Sequence, residues 1–122
     1  MENKNMGFAT KAIHAGVQGK NPYGVLTTPI YQSSTFVFDN CEQGGNRFAL
    51  KEDGHIYSRL GNPTTDLLER KVAALECGEA AVAFSSGMGA ISSVMWTICK
   101  AGAHVIADGT LYGCIHALLE HG

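Results

Sequence analysis

The chain lacks any apolar run long enough to cross a membrane, and it lacks the apolar centre of a secretory signal. Its longest apolar runs are short and broken by Gly, Ser or His, far below the ~18 apolar residues that a transmembrane helix needs. Residues 1–11 carry Glu2, Lys4 and Lys11 but no continuous hydrophobic stretch. We therefore expect no membrane association and a cytoplasmic location.

Charged residues are also scarce and nearly balanced. Nine Lys and Arg residues face eleven Asp and Glu residues among the 122, for a net charge of −2. No basic patch is large enough to indicate a nucleic acid partner. No polybasic stretch lies beside an amphipathic face, as binding to a membrane surface would require. We expect neither nucleic acid nor a membrane as a partner.

Cysteines are few, and no two of them form a Cys-x-x-Cys pair. Cys41, Cys77, Cys99 and Cys114 are widely spaced, whereas small disulfide scaffolds are denser in cysteine. The five histidines do not pair with these cysteines at zinc-finger spacing. We expect four reduced thiols and no bound metal.

Residues 1–60 show little periodicity and are rich in Gly, Asn, Ser, Thr and Gln. Only residues 31–38 resemble a strand, and their alternation is imperfect. Such a long irregular segment is uncommon in a compact domain, but its aromatic residues argue against disorder. We therefore expect residues 1–60 to form an extended N-terminal arm that packs on a neighbouring subunit.

A regular pattern begins at residue 61. Asn62 followed by Pro63 predicts a helix start, since a capping side chain precedes a proline at the first helical position. An apolar stripe at i, i+4 and i+7 runs to Leu75. Gly78 lies just past the stripe and is expected to take the left-handed conformation that ends the helix.

Two strands and two more helices are predicted after that helix. Residues 80–84 and 104–107 are short apolar runs of the kind that form buried strands. Helices are predicted from about 90 to 100 and from 111 to 121, with a Ser- and Gly-rich turn at 85–89.

This order of elements predicts an α/β fold with parallel strands joined by crossover helices. Two strands are too few for an independent sheet. We therefore expect residues 61–122 to begin a larger domain, with a mostly parallel sheet covered by helices on both faces. The chain would then be a portion of a longer protein.

The turn at 85–89 is the first candidate site, because a glycine turn at a helix start exposes backbone N–H groups to an anion. Gly87 would let a phosphate approach closely, and the hydroxyls of Ser85 and Ser86 can donate hydrogen bonds. The Lys-Ser/Thr pair of a nucleoside triphosphate site is absent. A dinucleotide site stays open, because Asp108 lies near the position of a ribose-binding acid although the third glycine is missing. A tight turn without a ligand is the other alternative.

Two further segments carry chemistry. Arg59 offers a planar fork for a phosphate or carboxylate, and Tyr57 offers a hydroxyl two residues earlier. At the start of the last helix, Tyr112 can stack on a flat ring and move a proton, and the thiol of Cys114 lies near the positive helix end. The alternatives are an exposed surface pair at 57–59 and a buried filler role for Cys114.

Several segments, in one order along the chain, resemble the Cys/Met-metabolism family of pyridoxal-phosphate (PLP) enzymes. They are TKAIHAG at 10–16, TPIYQSSTF at 28–36, YSR at 57–59 with NPT at 62–64, LE at 68–69 and 75–76, SGMGAI at 86–91, and LYG at 111–113. The resemblance implies fold type I, the fold of aspartate aminotransferase. Residues 61–122 would begin its large PLP-binding domain.

The resemblance also implies how PLP is held. Ser86, Gly87 and Met88 would bind its phosphate within their own subunit, and Tyr57 and Arg59 would bind the phosphate of the neighbouring subunit's cofactor. The protein would be a homo-oligomer, a dimer of dimers with shared active sites.

Catalytic roles at Tyr112 and Cys114 follow from the same resemblance. Tyr112 would stack on the pyridine ring and assist proton transfer. Cys114, directly after Tyr-Gly, resembles the members of the family that act on L-methionine. The implied reaction is γ-elimination to methanethiol, 2-oxobutyrate and ammonia, with L-homocysteine as a further substrate. The alternative is a related trans-sulfuration enzyme that cleaves cystathionine.

Two interpretations from other classes remain open. A nucleotide-binding module would use Gly87, Met88 and Gly89 together with Asp108. A non-catalytic assembly piece would only pair with another chain.

A polypeptide that ends at Gly122 is expected to be inactive, because the family's Schiff-base lysine lies beyond that residue. Incubation of such a chain with PLP and L-methionine should release no methanethiol. Turnover by a preparation whose mass matches residues 1–122 would contradict this expectation.

Overall fold

The computed structural model describes residues 6–17 and 23–122. The chain divides into two units, which the bounds Met1–Val82 and Ala83–Gly122 delimit. The described part contains five helices: α1 (Phe8–His14), α2 (Cys41–Phe48), α3 (Pro63–Glu76), α4 (Gly87–Ile98) and α5 (Gly113–His121). The division at residue 60 stays a prediction.

Extended pairing is limited to one place in the described residues. Thr35 and Tyr57 form an isolated antiparallel bridge, and none of the described segments forms a strand. The strands predicted at 31–38, 80–84 and 104–107 therefore stay predictions.

Residues 1–60 are more regular than expected, because α1 and α2 lie within them. The start of α2 is specified by side-chain hydrogen bonds. Asn40 accepts a hydrogen bond from Gln43 N (2.8 Å), while Gln43 Oε1 accepts one from Asp39 N (2.8 Å). These bonds satisfy backbone N–H groups at the helix start without an apolar stripe. A search for periodicity therefore misses this helix.

The end of α1 packs closely on α3 within the first unit. Ala15 is completely buried. Gly16 has a φ of +80°, and a side-chain carbon there would lie 3.1 Å from Arg70 Cβ. Arg70 Nε donates to Gly16 O (2.9 Å), and Lys71 Nζ donates to Ile13 O (3.1 Å). The two cations thus bind carbonyls at the negative end of α1.

The predicted start of α3 is confirmed, but its predicted stop is wrong by one residue. Asn62 is the N-cap and Pro63 is the first helical residue. Cys77, not Gly78, takes the left-handed conformation, with a φ of 55°. Gly78 N instead donates to Ala73 O (2.9 Å). The hydrogen bonds that close the last turn place the left-handed residue immediately after Glu76.

In the second unit, α4 starts at Gly87, earlier than the predicted position near residue 90. Ser86 is its N-cap, so the glycine turn forms the first turn of the helix. Tyr112 lies at the N-cap of α5. Both groups of candidate site residues in this unit therefore lie at helix N-termini.

Few apolar side chains are buried in the described residues. The buried ones are Ala15 and Ala73, while Val37 is 93% exposed and Leu50 is 91% exposed. Within this chain, hydrogen bonds and helix caps define the local structure.

No helix within residues 6–17 and 23–122 is long and apolar enough to cross a membrane. In the same part of the chain, no group of three or more His, Cys, Asp or Glu side chains is placed to hold a metal ion.

Replacing Asn62 is expected to destabilise the protein more than replacing Asn40, the matched cap of α2. Asn40→Ala removes one capping bond and should lower the free energy of unfolding by about 1 kcal/mol. Asn62→Ala also removes two bonds donated by a buried amide, for a total loss of about 2–3 kcal/mol. Urea unfolding followed by circular dichroism measures both. Equal losses would show that the two additional bonds contribute nothing.

Candidate functional site

The loop of residues 57–59, which carries Tyr57 and Arg59, is held by a neighbouring extended segment. Ser58 N donates to Ser34 O (2.9 Å), and Phe36 N donates to Ile56 O (3.1 Å). The backbone of the loop is therefore paired on one side.

Asn62 holds the same loop from the other side. It is only 6% exposed, and its Oδ1 accepts from Thr64 N (2.9 Å). Its Nδ2 donates to Tyr31 O (3.0 Å) and to Ser58 Oγ (2.9 Å). Thr64 Oγ1 in turn accepts from Tyr31 N (2.9 Å). One buried amide thus joins the loop, the extended segment and the start of α3.

Within this loop, Tyr57 and Arg59 lie close together. Arg59 Cζ is 5.6 Å from the centre of the Tyr57 ring, a distance at which the cation and the ring attract. Both residues are exposed. None of the ion pairs in the described part of the chain involves Arg59. Its guanidinium can therefore bind an external anion.

The start of α4 has the features of an anion site. Ser86 Oγ accepts from Gly89 N (3.0 Å) and retains its own proton for donation. The first N–H groups of a helix, here those of Gly87 and Met88, have no acceptor within the helix. A side-chain carbon at Gly87 would meet nothing within 4 Å. The approach to these N–H groups is open within the unit.

Gly89 has a different role. A side-chain carbon there would lie 3.1 Å from Ser86 Oγ, which is tighter than ordinary contact. Glycine at this position thus preserves the cap of α4.

Asp108, the candidate ribose-binding acid, is engaged in a local turn. Its Oδ1 accepts from Thr110 N (2.7 Å) and Thr110 Oγ1 (2.6 Å). These hydrogen bonds, first the one from the Thr110 side chain and then the one from its backbone, lower the pKa of Asp108 below its ordinary value. Desolvation opposes them with a smaller effect. This arrangement accounts for Asp108 without a ligand.

Tyr112 and Cys114 are neighbours at the start of α5. The Tyr112 carbonyl accepts from Ile115 N (2.8 Å) and His116 N (3.2 Å), and its ring is exposed. A hydrogen bond with Cys114 raises the pKa of the Tyr112 phenol, and charge repulsion by the same residue and slight desolvation add to the effect. The phenol therefore keeps its proton to higher pH than an ordinary tyrosine.

Each predicted group of site residues is assembled locally. Tyr57 and Arg59 share a loop of the first unit. Two groups lie in the second unit at the starts of helices: Ser86, Gly87 and Met88 at α4, and Tyr112 and Cys114 at α5.

Sequence reasoning missed two contacts in the first unit. It identified Asn62 as a helix cap only, and it assigned nothing to His55. His55 Nε2 lies 2.7 Å from Asp66 Oδ2. The contact of Asn62 with Tyr31 spans 31 residues and that of His55 with Asp66 spans 11. Neither separation is a helical or strand spacing, so no sequence signal points to these contacts.

A family model described as Cys/Met metabolism PLP-dependent enzyme matches residues 9–122. Among curated relatives, the L-methionine gamma-lyase of Fusobacterium nucleatum subsp. polymorphum is 67% identical over all 122 residues of this chain and 31% of its own length. The L-methionine gamma-lyase of Treponema denticola is 60% identical over 99% of this chain and 30% of its length. The O-acetyl-L-homoserine sulfhydrylase of Corynebacterium glutamicum is 46% identical over 88% of this chain and 24% of its length. The chain thus spans about a quarter to a third of the length of these relatives.

Solved structures agree with this assignment. A Campylobacter jejuni protein assigned to the O-acetylhomoserine (thiol)-lyases, solved with N'-pyridoxyl-lysine-5'-monophosphate, matches with a TM-score of 0.86 and 33% identity over 96% of this chain and 29% of its own. Cystathionine gamma-lyase from Lactobacillus plantarum, solved with L-serine, matches with a TM-score of 0.76 and 36% identity over 94% of this chain and 28% of its own.

These similarities to solved structures confirm the expected fold type I. The parallel sheet expected within it stays a prediction. Since the family model matches nearly every residue, the chain belongs to the Cys/Met metabolism PLP-dependent enzymes.

Proposed function

We propose that this chain supplies part of the active site of an enzyme that converts L-methionine to methanethiol, 2-oxobutyrate and ammonia by PLP-dependent γ-elimination. One observation carries the proposal: four L-methionine gamma-lyases are 60–67% identical to this chain. The O-acetyl-L-homoserine sulfhydrylase and homocysteine synthase relatives are 46% and 41% identical. L-homocysteine, a sulfur amino acid with the same γ-sulfur, is the second substrate that we propose.

The residues at the start of α4 fit the phosphate of PLP. Ser86 donates its hydroxyl, and Gly87 and Met88 donate backbone N–H groups at the positive end of a helix. The open space at Gly87 leaves room for the phosphate oxygens. Together they would anchor the cofactor of their own subunit.

Tyr57 and Arg59 fit the phosphate of a neighbouring subunit's cofactor. The Arg59 guanidinium forms no ion pair in the described residues, and its fork matches two phosphate oxygens. Active sites shared in this way require a homo-oligomer, and we propose a dimer of dimers with residues 1–60 as the arm between subunits. A cytoplasmic location stays part of the proposal.

When bound, PLP supplies an electron sink for the bonds broken at the substrate. The chain contributes a proton at Tyr112. The Tyr112 phenol is protonated at neutral pH, and Cys114 raises its pKa, so Tyr112 Oη holds a proton that it can donate to the sulfur as the carbon–sulfur bond breaks. The flat ring of Tyr112 can also stack on the pyridine ring. Cys114 would thereby act on the reaction through Tyr112.

The alternative is γ-elimination from cystathionine by a related trans-sulfuration enzyme. It is supported by the likeness to the L. plantarum cystathionine gamma-lyase, at 36% identity, well below the identity with the L-methionine gamma-lyases.

Product analysis distinguishes the two reactions. A full-length protein that includes the Schiff-base lysine expected beyond Gly122, its intact mass determined, is incubated with PLP and separately with L-methionine, L-homocysteine and L-cystathionine. We expect methanethiol and 2-oxobutyrate from L-methionine. Cleavage of cystathionine with L-methionine untouched would favour the alternative.

An Arg59→Lys variant should bind PLP more weakly, because an ammonium cannot form the two parallel bonds of a guanidinium.

Replacing Cys114 is expected to lower the pKa of Tyr112. Cys114→Ala removes the hydrogen bond and the charge repulsion that favour the neutral phenol. The alkaline limb of the kcat profile should therefore move to lower pH. NMR of ¹³C-labelled tyrosine, assigned with Tyr112→Phe, measures the titration directly. Cys99→Ala, at the end of α4, is the matched control. An unchanged Tyr112 titration in Cys114→Ala would disprove the coupling.

A further inference from the structure

His55 and Asp66 form a partly buried pair beside the 57–59 loop. His55 Nε2 lies 2.7 Å from Asp66 Oδ2, and each side chain is 30% exposed. The His55 ring lies 5.3 Å from the Phe36 ring, centre to centre. A side-chain carbon at Gly61 would lie 3.7 Å from His55 Cδ2 and 3.9 Å from Asp66 Oδ1. The pair therefore lies between the Phe36 ring and the backbone at Gly61.

Both ends of the loop are attached to the first turn of α3. Before the loop, the side chain of His55 binds Asp66, whose own N–H donates to Asn62 O (2.9 Å). After the loop, the Asn62 side chain donates to Ser58 Oγ (2.9 Å). Residues 55–62 thus form a short closed loop on a helix end, with Tyr57 and Arg59 near its middle.

Closing a loop before a ligand arrives lowers the entropy that binding must remove. A long side chain such as Arg59 has much rotational freedom to lose. The backbone of Arg59 is already ordered before binding, because both ends of the loop are attached. The attachment of the loop to α3 should therefore affect the dissociation constant of a bound anion more than the rate of the reaction after binding.

We propose that His55 and Asp66 are a positioning pair, which holds the 57–59 loop in the conformation that binds the PLP phosphate. This inference rests on the proposed function. His55 and Asp66 act through Tyr57 and Arg59, without themselves contacting the cofactor.

The first experiment measures PLP affinity. Apoprotein of the full-length protein, with the Schiff-base lysine expected beyond Gly122, is prepared unaltered and as His55→Phe, which keeps a ring against Phe36 but removes the bond to Asp66. Titration with PLP, followed by the visible absorbance of the bound cofactor, should show a dissociation constant about three- to tenfold higher for the variant, as expected for the loss of one partly exposed hydrogen bond. The value of kcat at saturating PLP should not change.

Two further variants separate positioning from general damage to the fold. His55→Gln retains an N–H donor toward Asp66 and should restore most of the PLP affinity. Asp66→Ala breaks the pair from the other side, and combined with His55→Phe it should weaken PLP binding by less than the product of the two single effects. ³¹P NMR of the bound phosphate should show a broader signal in both single variants.

The control is His121→Phe, which removes a histidine paired with Glu120 (3.6 Å) at the end of α5. It should leave PLP affinity unchanged. An unchanged PLP dissociation constant in His55→Phe, or independent effects of the two substitutions, would overturn the inference while the unaltered protein still released methanethiol. Failure of the unaltered protein to bind PLP would instead overturn the proposed function, and the inference with it.

Discussion

The buried amide of Asn62 is the interaction on which the first unit depends most. A buried amide is costly unless its donors and acceptor are all satisfied. Here its oxygen caps α3, and its nitrogen bonds to Tyr31 O and Ser58 Oγ. No buried side-chain nitrogen or oxygen in the described residues lacks a hydrogen-bond partner. A single side chain thus sets where α3 begins, where residue 31 lies and how the 57–59 loop is oriented.

Helix N-termini recur at the candidate sites for a related reason. The first N–H groups of a helix lie free and carry partial positive charge, so a helix start binds an anion without a dedicated cation. At α4, Ser86 satisfies the N–H of Gly89, and the earlier N–H groups have no acceptor within the helix. At α5, the first turn instead brings the Cys114 thiol to the Tyr112 phenol. Similar local geometry thus exposes backbone N–H groups at one helix and brings two titratable side chains together at the other.

The alternatives from other classes lose support for physical reasons. The dinucleotide interpretation rests on Asp108, whose Oδ1 is engaged in a local turn with Thr110, and on a glycine turn that lacks the third glycine. The assembly-piece interpretation does not account for an exposed Arg59 that lies 5.6 Å from the Tyr57 ring and forms no ion pair in the described residues. Family membership instead assigns the chain to enzymes that depend on a phosphorylated cofactor, PLP.

The sequence by itself determined the family, the start of α3 and the positions of the candidate site residues. Capping and turn chemistry act over two to four residues, so Asn62, Pro63 and the Ser86 turn can be recognised from neighbouring letters. Only the tertiary structure showed that Asn62 reaches Tyr31, 31 residues away, that His55 reaches Asp66, and that Arg70 reaches Gly16 across 54 residues. It also placed the left-handed residue at Cys77 where the sequence predicted Gly78. Contacts between distant residues depend on the path of the whole chain, and no local spacing encodes that path.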